Sequence, residues 1–218
     1  MVHRNAADRR ERAILQRLRD QLGQRVYPVH RLDRQTSGCL LFATDPARVA
    51  PLHAALAAGQ KTYLALVRGH WAHPPEVTVD APLKADNGAM KEARSVVRLL
   101  ATSRDPRCAL VEIRPETGRF HQVRRHLQRL SHPVLGDANH GDTRVNRAWR
   151  QQHGLPRLAL HCASLSLTPP DGPPLDVTCP LFEDLHGLFR RMPWWLDARS
   201  AHPALGAAPL PLGVEAPA

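Results

Sequence analysis

The sequence has little that would cross-link the chain or hold a metal ion. No Cys-x-x-Cys or His-Glu-x-x-His pattern occurs, and these are the patterns that zinc sites most often use. His121 and His126 lie five residues apart without such a pattern around them. We therefore expect no metal site. The four cysteines show no close pairing: Cys39, Cys108, Cys162 and Cys179.

Long apolar runs and a secretory segment are also absent from the 218 residues. A helix needs about 20 consecutive apolar residues to cross a bilayer. The sequence therefore favours a protein of the reducing cytoplasm with no membrane partner. Its length fits one large or two small domains with a substantial core.

Acidic residues are outnumbered by basic ones. The chain has 30 lysines and arginines against 20 aspartates and glutamates, a formal net charge of +10. This excess suits a phosphate-rich partner, because binding releases counterions. Arginine-rich proteins without a nucleic-acid role show the same excess, so charge alone leaves RNA or DNA binding open.

The stretch His30–Thr44 organises the rest of the chain. Asp33 stands between Arg31 and Arg34, and a turn-forming Thr-Ser-Gly follows. The apolar run 39–43 is short and bounded by turn residues, which predicts a buried strand. Neighbouring cations favour an ionised carboxylate that is available as a nucleophile. An ordinary surface ion pair explains the same pattern equally well.

Periodicity predicts an α+β protein, since strands alternate with a few helices without a regular βαβ order. Asp45-Pro46 and Gly59 bound one predicted helix. A second is expected from near Arg119, with Phe120, Val123, Leu127 and Leu130 on its buried face. A basic helix is expected within residues 1–24 and a closing helix over 181–188. The predicted strands are 63–67, 77–79, 96–100, 109–114, 158–167 and 175–177.

Five segments resemble, in the same order, the motifs of the RluA family of pseudouridine synthases. His30–Gly38 resembles the family's His-Arg-Leu-Asp-x-x-Thr-Ser-Gly motif. Lys61–Gly69 resembles its Lys-x-Tyr segment, and Pro115–Leu127 its Thr-Gly-Arg-x-His-Gln-hydrophobic-Arg segment. His132–Asp137 and Arg157–His161 match two more. The resemblance covers roughly residues 20 to 185.

The resemblance implies the pseudouridine synthase fold, a mixed and mainly antiparallel sheet with flanking helices and a central cleft. It implies an RNA isomerase that needs neither cofactor nor metal. Asp33 would act on the nucleoside by attacking the sugar or the uracil ring, or by forming a glycal. Tyr63 would hold the uracil and Arg124 would pair with Asp33. Asp137 and Asp142 each follow a glycine, and turn chemistry explains both.

Further residues are predicted to contact the substrate or the RNA. By resemblance Leu160 packs near the uracil, although a buried leucine in a strand is equally expected for packing alone. The remaining candidates are basic or aromatic: Arg31, Arg34, Arg119, His121, His140, Arg144 and Arg147.

The string from His140 to Arg147 is similar to that of family members that act on tRNA. This implies uridine at tRNA position sixty-five, in the T stem, as the target. Two alternatives remain: a ribosomal RNA synthase of the same family, and an RNA-binding protein with an inactive site. A monomer is favoured.

The expected domain covers residues 1–196. Relatives usually carry an upstream strand that is reduced here to Met1–Arg4, so the natural product is expected to begin upstream. From Asp197 to Ala218 the chain is rich in alanine and proline and has little to bury, so disorder is expected.

Overall fold

A computed structural model describes residues 14–212. Two expectations, the upstream start and the basic residues before Ile14, lie outside this range. Helix α1 (Ile14–Leu22) forms within the predicted basic helix, with Leu15 buried. None of the helices within residues 14–212 combines the length and apolarity needed to span a bilayer.

The centre of the molecule is a seven-stranded sheet. The strands in chain order are β1 (Tyr27–Pro28), β2 (Ser37–Gly38), β3 (Phe42–Ala43), β4 (Gln60–Arg68), β5 (Glu76–Asp80), β6 (Leu83–Lys84), β7 (Met90–Lys91), β8 (Arg94–Arg104), β9 (Arg107–Pro115), β10 (Leu160–Leu167) and β11 (Leu175–Thr178). The main sheet has the order β11-β10-β4-β9-β8-β5, and β2 pairs with β10. Only the β2–β10 pairing of that sheet is parallel among the described strands.

The register of the sheet separates its two faces. Tyr63 lies between Ile113 and Cys162, while Leu64 lies between Glu112 and His161. Residues directly opposite one another in a ladder share a face. Leu64 to Val67 are all completely buried, so both faces of β4 are covered, which explains the continuous apolar run that predicted this strand.

Helices cover both faces. They are α2 (Val49–Ala58), preceded by a 3₁₀ turn (Pro46–Arg48), then α3 (Gln122–Arg129), α4 (Thr143–His153), α5 (Glu183–Phe189), α6 (Trp195–Ala198) and α7 (Pro203–Gly206). Helix α3 joins the Tyr63 face, where His126 contacts the Ser95 hydroxyl of β8. Phe182, at the start of α5, contacts the His161 ring on the opposite face.

The α+β class and the predicted strands are confirmed, but the run 39–43 is not one continuous strand. Its flanks pair with different partners: β2 pairs with β10, whereas β3 pairs with β1. Cys39 between them is buried. The chain therefore leaves one sheet and enters another within this run, which accounts for its apolar character without a single strand.

Helix α3 begins later than its periodicity predicted. His121 precedes it in the left-handed conformation, with φ of 52°, which turns the chain before the first helical residue. Phe120 is consequently 54% exposed, while Val123 and Leu127 are buried as predicted. The expectation that Phe120 belongs to the buried face is wrong.

Residues 197–212 differ from the disorder expected for them. Ala198, Ala204 and Leu205 are buried against the core, and the Leu181 and Leu210 backbones are joined by a hydrogen bond of 2.9 Å. The few apolar residues in this stretch suffice to order it because they join the same hydrophobic cluster as Leu181, Leu185 and Leu188. Residues 213–218 lie outside the described range.

Candidate active site

Asp33 lies on a loop, and hydrogen bonds between the residues that flank it hold the two ends of this loop together. The Val29 N–H donates to the Leu41 carbonyl at 3.0 Å, and the Leu41 N–H donates to His30 Nε2 at 3.1 Å. Burial, and then the charge of Lys61, lower the pKa of His30 to about 4. His30 is therefore a neutral acceptor that closes the loop, so the first residue of the motif has a structural task.

Gly38 fixes the other side of this loop. Its φ is +113°, and a Cβ built there would lie 2.1 Å from the Cys162 carbonyl oxygen. The Cys39 N–H donates to that carbonyl at 2.9 Å. Only glycine permits this conformation and this approach, so the Thr-Ser-Gly turn anchors the Asp33 loop to β10.

Arg124 joins two carboxylates. Its Nη1 donates to Asp33 Oδ2 at 2.9 Å, and its Nε and Nη2 donate to Asp137 at 2.6 Å each. The Arg124 side chain is 7% exposed and that of Asp137 is completely buried, against 24% for Asp33. The forked guanidinium is thus fixed from the buried side, and Asp33 is the carboxylate that remains open to a ligand.

Asp137 is in turn fixed by its own loop. One carboxylate oxygen accepts from the Asn139 and His140 N–H groups at 2.9 Å. Asn146 of α4 bonds the Gly136 N–H and the Asp137 carbonyl at 2.8 Å each. Burial alone would raise the pKa of Asp137, but the bonds from Arg124 and these N–H groups hold it below its usual value.

Two histidines flank Asp33. His121 Nδ1 lies 3.0 Å from His140 Nε2, and His121 Nε2 lies 3.6 Å from Asp33 Oδ1. Burial lowers the pKa of both rings, and the positive charge of Arg124 adds to this. Both predicted histidines therefore reach the candidate site, joined to each other.

Tyr63 lies on β4, on the sheet face that α3 covers. Its neighbours across the ladder are Ile113 and Cys162. Burial first, then the nearby thiol of Cys162 and the Asp33 carboxylate, raise the pKa of Tyr63 well above its usual value. The Asp33 carboxylate is thus close enough to Tyr63 to disfavour the phenolate form.

The glutamine of the third motif has a structural task. Gln122 Oε1 accepts from the Thr117 hydroxyl at 2.6 Å and from the Arg119 N–H at 3.0 Å. Its amide donates to the Arg94 carbonyl and to the Ser95 hydroxyl. These bonds hold the Thr117–His121 turn against β8 and so place the start of α3.

The structure distributes the remaining predicted residues around this centre. Leu160 is buried and pairs with Ala65, on the same sheet face as Tyr63. Arg119 donates to the Glu92 carbonyl at 2.9 Å. The other predicted arginines have exposed positions, on the Asp33 loop or on helix α4: Arg31, Arg34, Arg144 and Arg147.

Two residues of this arrangement were not predicted. Asp137 was assigned to turn chemistry, which the structure bears out, but its pairing with Arg124 was missed. Arg157 was seen as part of a motif without a role; it donates to the Gln35 carbonyl, the Ser37 hydroxyl and the Asp184 carboxylate. The sequence carries no direct signal of either set of contacts, because each joins residues that are distant in the chain.

Comparison with known proteins shows that this chain is an RNA-modifying enzyme and gives its family. The chain matches the family described as RNA pseudouridylate synthase over residues 1–129. It belongs to that family and is an RNA pseudouridine synthase, an isomerase.

Curated relatives and solved structures agree with this assignment. The chain is 39% identical over 216 residues to tRNA pseudouridine synthase C of Yersinia pestis, covering 89% of this chain and 84% of that protein. It is 42% identical over 193 residues to tRNA pseudouridine synthase C of Pasteurella multocida, covering 78% and 79%. The structure of Human RNA Pseudouridylate Synthase Domain Containing 1 superposes with a TM-score of 0.67 at 25% identity, covering 81% of this chain and 78% of that one.

Proposed function

We propose that this enzyme isomerises uridine to pseudouridine in tRNA, at position sixty-five of the T stem. The observation that carries the chemistry is the Asp33 carboxylate, held by Arg124 at 2.9 Å on the sheet face that presents Tyr63. The tRNA substrate is supported by relatives named tRNA pseudouridine synthase C that cover most of this chain. The position within tRNA follows the resemblance of the 140–147 string.

The reaction leaves the atoms of the nucleoside unchanged. The bond from N1 of uracil to C1′ of ribose breaks, and the base turns and rejoins through C5. C5 loses a proton and N1 gains one. Asp33 acts as nucleophile at C1′ or at the ring, or as base at C2′. All three routes use the carboxylate group that Arg124 holds at 2.9 Å.

Tyr63 supports the everted base. Its position between two paired strands gives a fixed aromatic surface, and flipped bases are commonly held by such side chains. Because its pKa is raised, Tyr63 acts as a protonated ring that contacts the uracil and donates a hydrogen bond. Leu160 adds an apolar surface on the same face.

Flipping a nucleotide costs a few kcal/mol of stacking and pairing. In this proposal the exposed arginines of the Asp33 loop and of α4 offset that cost through phosphate contacts. Arg124 and its two carboxylates carry a formal net charge of −1, so the attraction for RNA comes from the surrounding arginines.

Release of tritium from tRNA labelled at C5 of uridine tests the activity directly. The parent enzyme should release it, and Asp33→Asn should abolish release while binding tRNA nearly as well, because the amide keeps the shape and loses the nucleophile. Binding without release by the parent would favour an inactive RNA-binding protein. If Asp33→Asn retained turnover, Asp33 would not be required for the reaction.

Sequencing of pseudouridines in total RNA, with and without the gene, tests the target. Loss of a single tRNA pseudouridine at position sixty-five is expected. Loss at a ribosomal RNA position instead would support the alternative substrate with the same chemistry.

A further inference from the structure

Phe120 is exposed beside the candidate site for no reason that the fold supplies. Phe120 is 54% exposed, because the left-handed conformation of His121 turns the Phe120 side chain away from the apolar face of α3. Exposing a large aromatic side chain forfeits the free energy of burying it. An exposed aromatic next to a binding site is therefore a candidate for ligand contact.

The ring of Phe120 is stacked on His121. The two ring centroids are 3.7 Å apart and the planes differ by 20°. His121 Nε2 in turn lies 3.6 Å from Asp33 Oδ1. Phe120 is thus separated from the candidate nucleophile by one imidazole ring, and it extends an aromatic stack outward from the site.

Two arginines close to Phe120 in the chain are tethered to backbone carbonyls. Arg119 is exposed and tethered through Nε to the Glu92 carbonyl at 2.9 Å. Arg125 donates to the Phe120 carbonyl at 3.4 Å and to the Lys84 carbonyl at 3.0 Å. Proteins hold single-stranded nucleic acid with exposed aromatic rings accompanied by basic side chains.

We propose that Phe120 stacks on the nucleobase adjacent to the flipped uridine and so holds the opened strand in register with Asp33. This inference rests on the proposed function, since it assumes an RNA substrate at the Asp33 site. Its ligand is a nucleobase rather than a protein, because the exposed ring is accompanied by the basic side chains of Arg119 and Arg125, which suit an anionic strand. Stacking accepts any base, so Phe120 contributes affinity and positioning without reading sequence.

The first test compares an aliphatic with an aromatic replacement in the full-length enzyme. With a short RNA hairpin that carries the mapped target uridine, Phe120→Leu should raise KM about tenfold, within the range expected for loss of one base–aromatic stack. Phe120→Tyr should restore KM to within about twofold. Leu196→Ala is the matched control, because Leu196 is 72% exposed and lies on α6, outside the site.

The second test removes the RNA side of the contact. An abasic residue placed next to the target uridine, on the 5′ or the 3′ side in turn, should raise KM as much as Phe120→Leu does. On the RNA that lacks the contacted base, Phe120→Leu should have no further effect. The proposal would be overturned if Phe120→Leu raised KM by the same factor on both abasic RNAs as on the intact hairpin. It would also be overturned if Phe120→Leu lowered kcat and left KM unchanged, since Phe120 would then only support His121.

The two proposals fail in different ways. If the parent enzyme makes no pseudouridine in the hairpin or in tRNA, the proposed function fails. If the parent is active and Phe120→Leu matches it in KM, only this inference fails. Melting temperatures of the variants check that an exposed substitution has left the fold intact.

Discussion

Arg124 illustrates how much depends on single side chains at this site. At neutral pH the guanidinium and its two carboxylates carry a net charge of −1. Asp137 takes two of the Arg124 donors and leaves Nη1 for Asp33. Without Asp137 the full positive charge would fall on Asp33, which would be bound more tightly and, in the proposed reaction, would be less reactive.

Asp137→Asn therefore should lower kcat roughly 10- to 100-fold, equivalent to about 1.4–2.7 kcal/mol of transition-state stabilisation. It should also lower the free energy of unfolding, since it leaves a buried charge half-paired. Tritium release and urea denaturation measure the two effects. A variant with unchanged kcat would show that Asp137 has no part in orienting Asp33.

Asp142→Asn is the matched control for this change. Asp142 also follows a glycine, but its carboxylate caps α4 by accepting from the Arg144 and Val145 N–H groups. Asparagine caps helices about as well as aspartate. Activity and stability should therefore stay close to those of the parent, which separates the loss of the Arg124 pair from a general effect of removing a carboxylate.

At the scale of elements, helix α4 carries out two tasks. Its inner side is fixed by the buried Asn146 and Trp149, and Asn146 holds the Asp137 loop. Its outer side presents Arg144 and Arg147 to solvent. The helix thus connects the buried half of the site to the surface that we expect to meet RNA.

Replacing Arg144 or Arg147 by alanine should weaken tRNA binding and reduce the slope of log K against log salt by about one for each phosphate that the arginine neutralises. Filter binding at several salt concentrations measures the slope. Arg199→Ala serves as the control, because Arg199 is exposed and directly follows α6, which lies outside the site. If all three variants had the same slope of log K against log salt, α4 would not be part of the surface that binds RNA.

Most strands were predictable because local patterns decide them. The apolar run 64–67 and the alternation over 109–114 need no knowledge of distant residues. The start of α3 was not predictable in the same way, because a left-handed His121 overrides the 3.6-residue period at Phe120. The Asp137–Arg124 pair joins a loop to a helix, and a single sequence carries no direct signal of such pairing. Asp33, Tyr63 and Arg124 were placed by resemblance to a family.

At the scale of the whole molecule, folding buries several histidines in their neutral form. Burial lowers the pKa of His30 to about 4, and it also lowers the pKa values of His126 and His132. The unfolded chain therefore binds more protons than the folded one below the ordinary histidine value near 6.5. The contribution of these buried neutral histidines to the free energy of unfolding is fully present above pH 6.5 and is lost as the pH falls towards 4.

We expect the free energy of unfolding to fall measurably between pH 6.5 and pH 4, with about 1–2 kcal/mol from His30 after allowance for its partial exposure. His30→Gln, which can still accept from the Leu41 N–H, should show a shallower dependence over that interval. Urea denaturation at several pH values gives the slope. A slope as steep as that of the parent would assign the effect to the other histidines.

Arg157 connects the Asp33 loop to helix α5 on the other side of the sheet. This side chain ties the Gln35 carbonyl and the Ser37 hydroxyl of the Asp33 loop to Asp184 at the beginning of α5, and α5 packs on the sheet face away from Tyr63. A substitution in α5, or an inhibitor bound beneath that helix, would therefore loosen the loop that carries the proposed catalytic aspartate without contacting the candidate site itself.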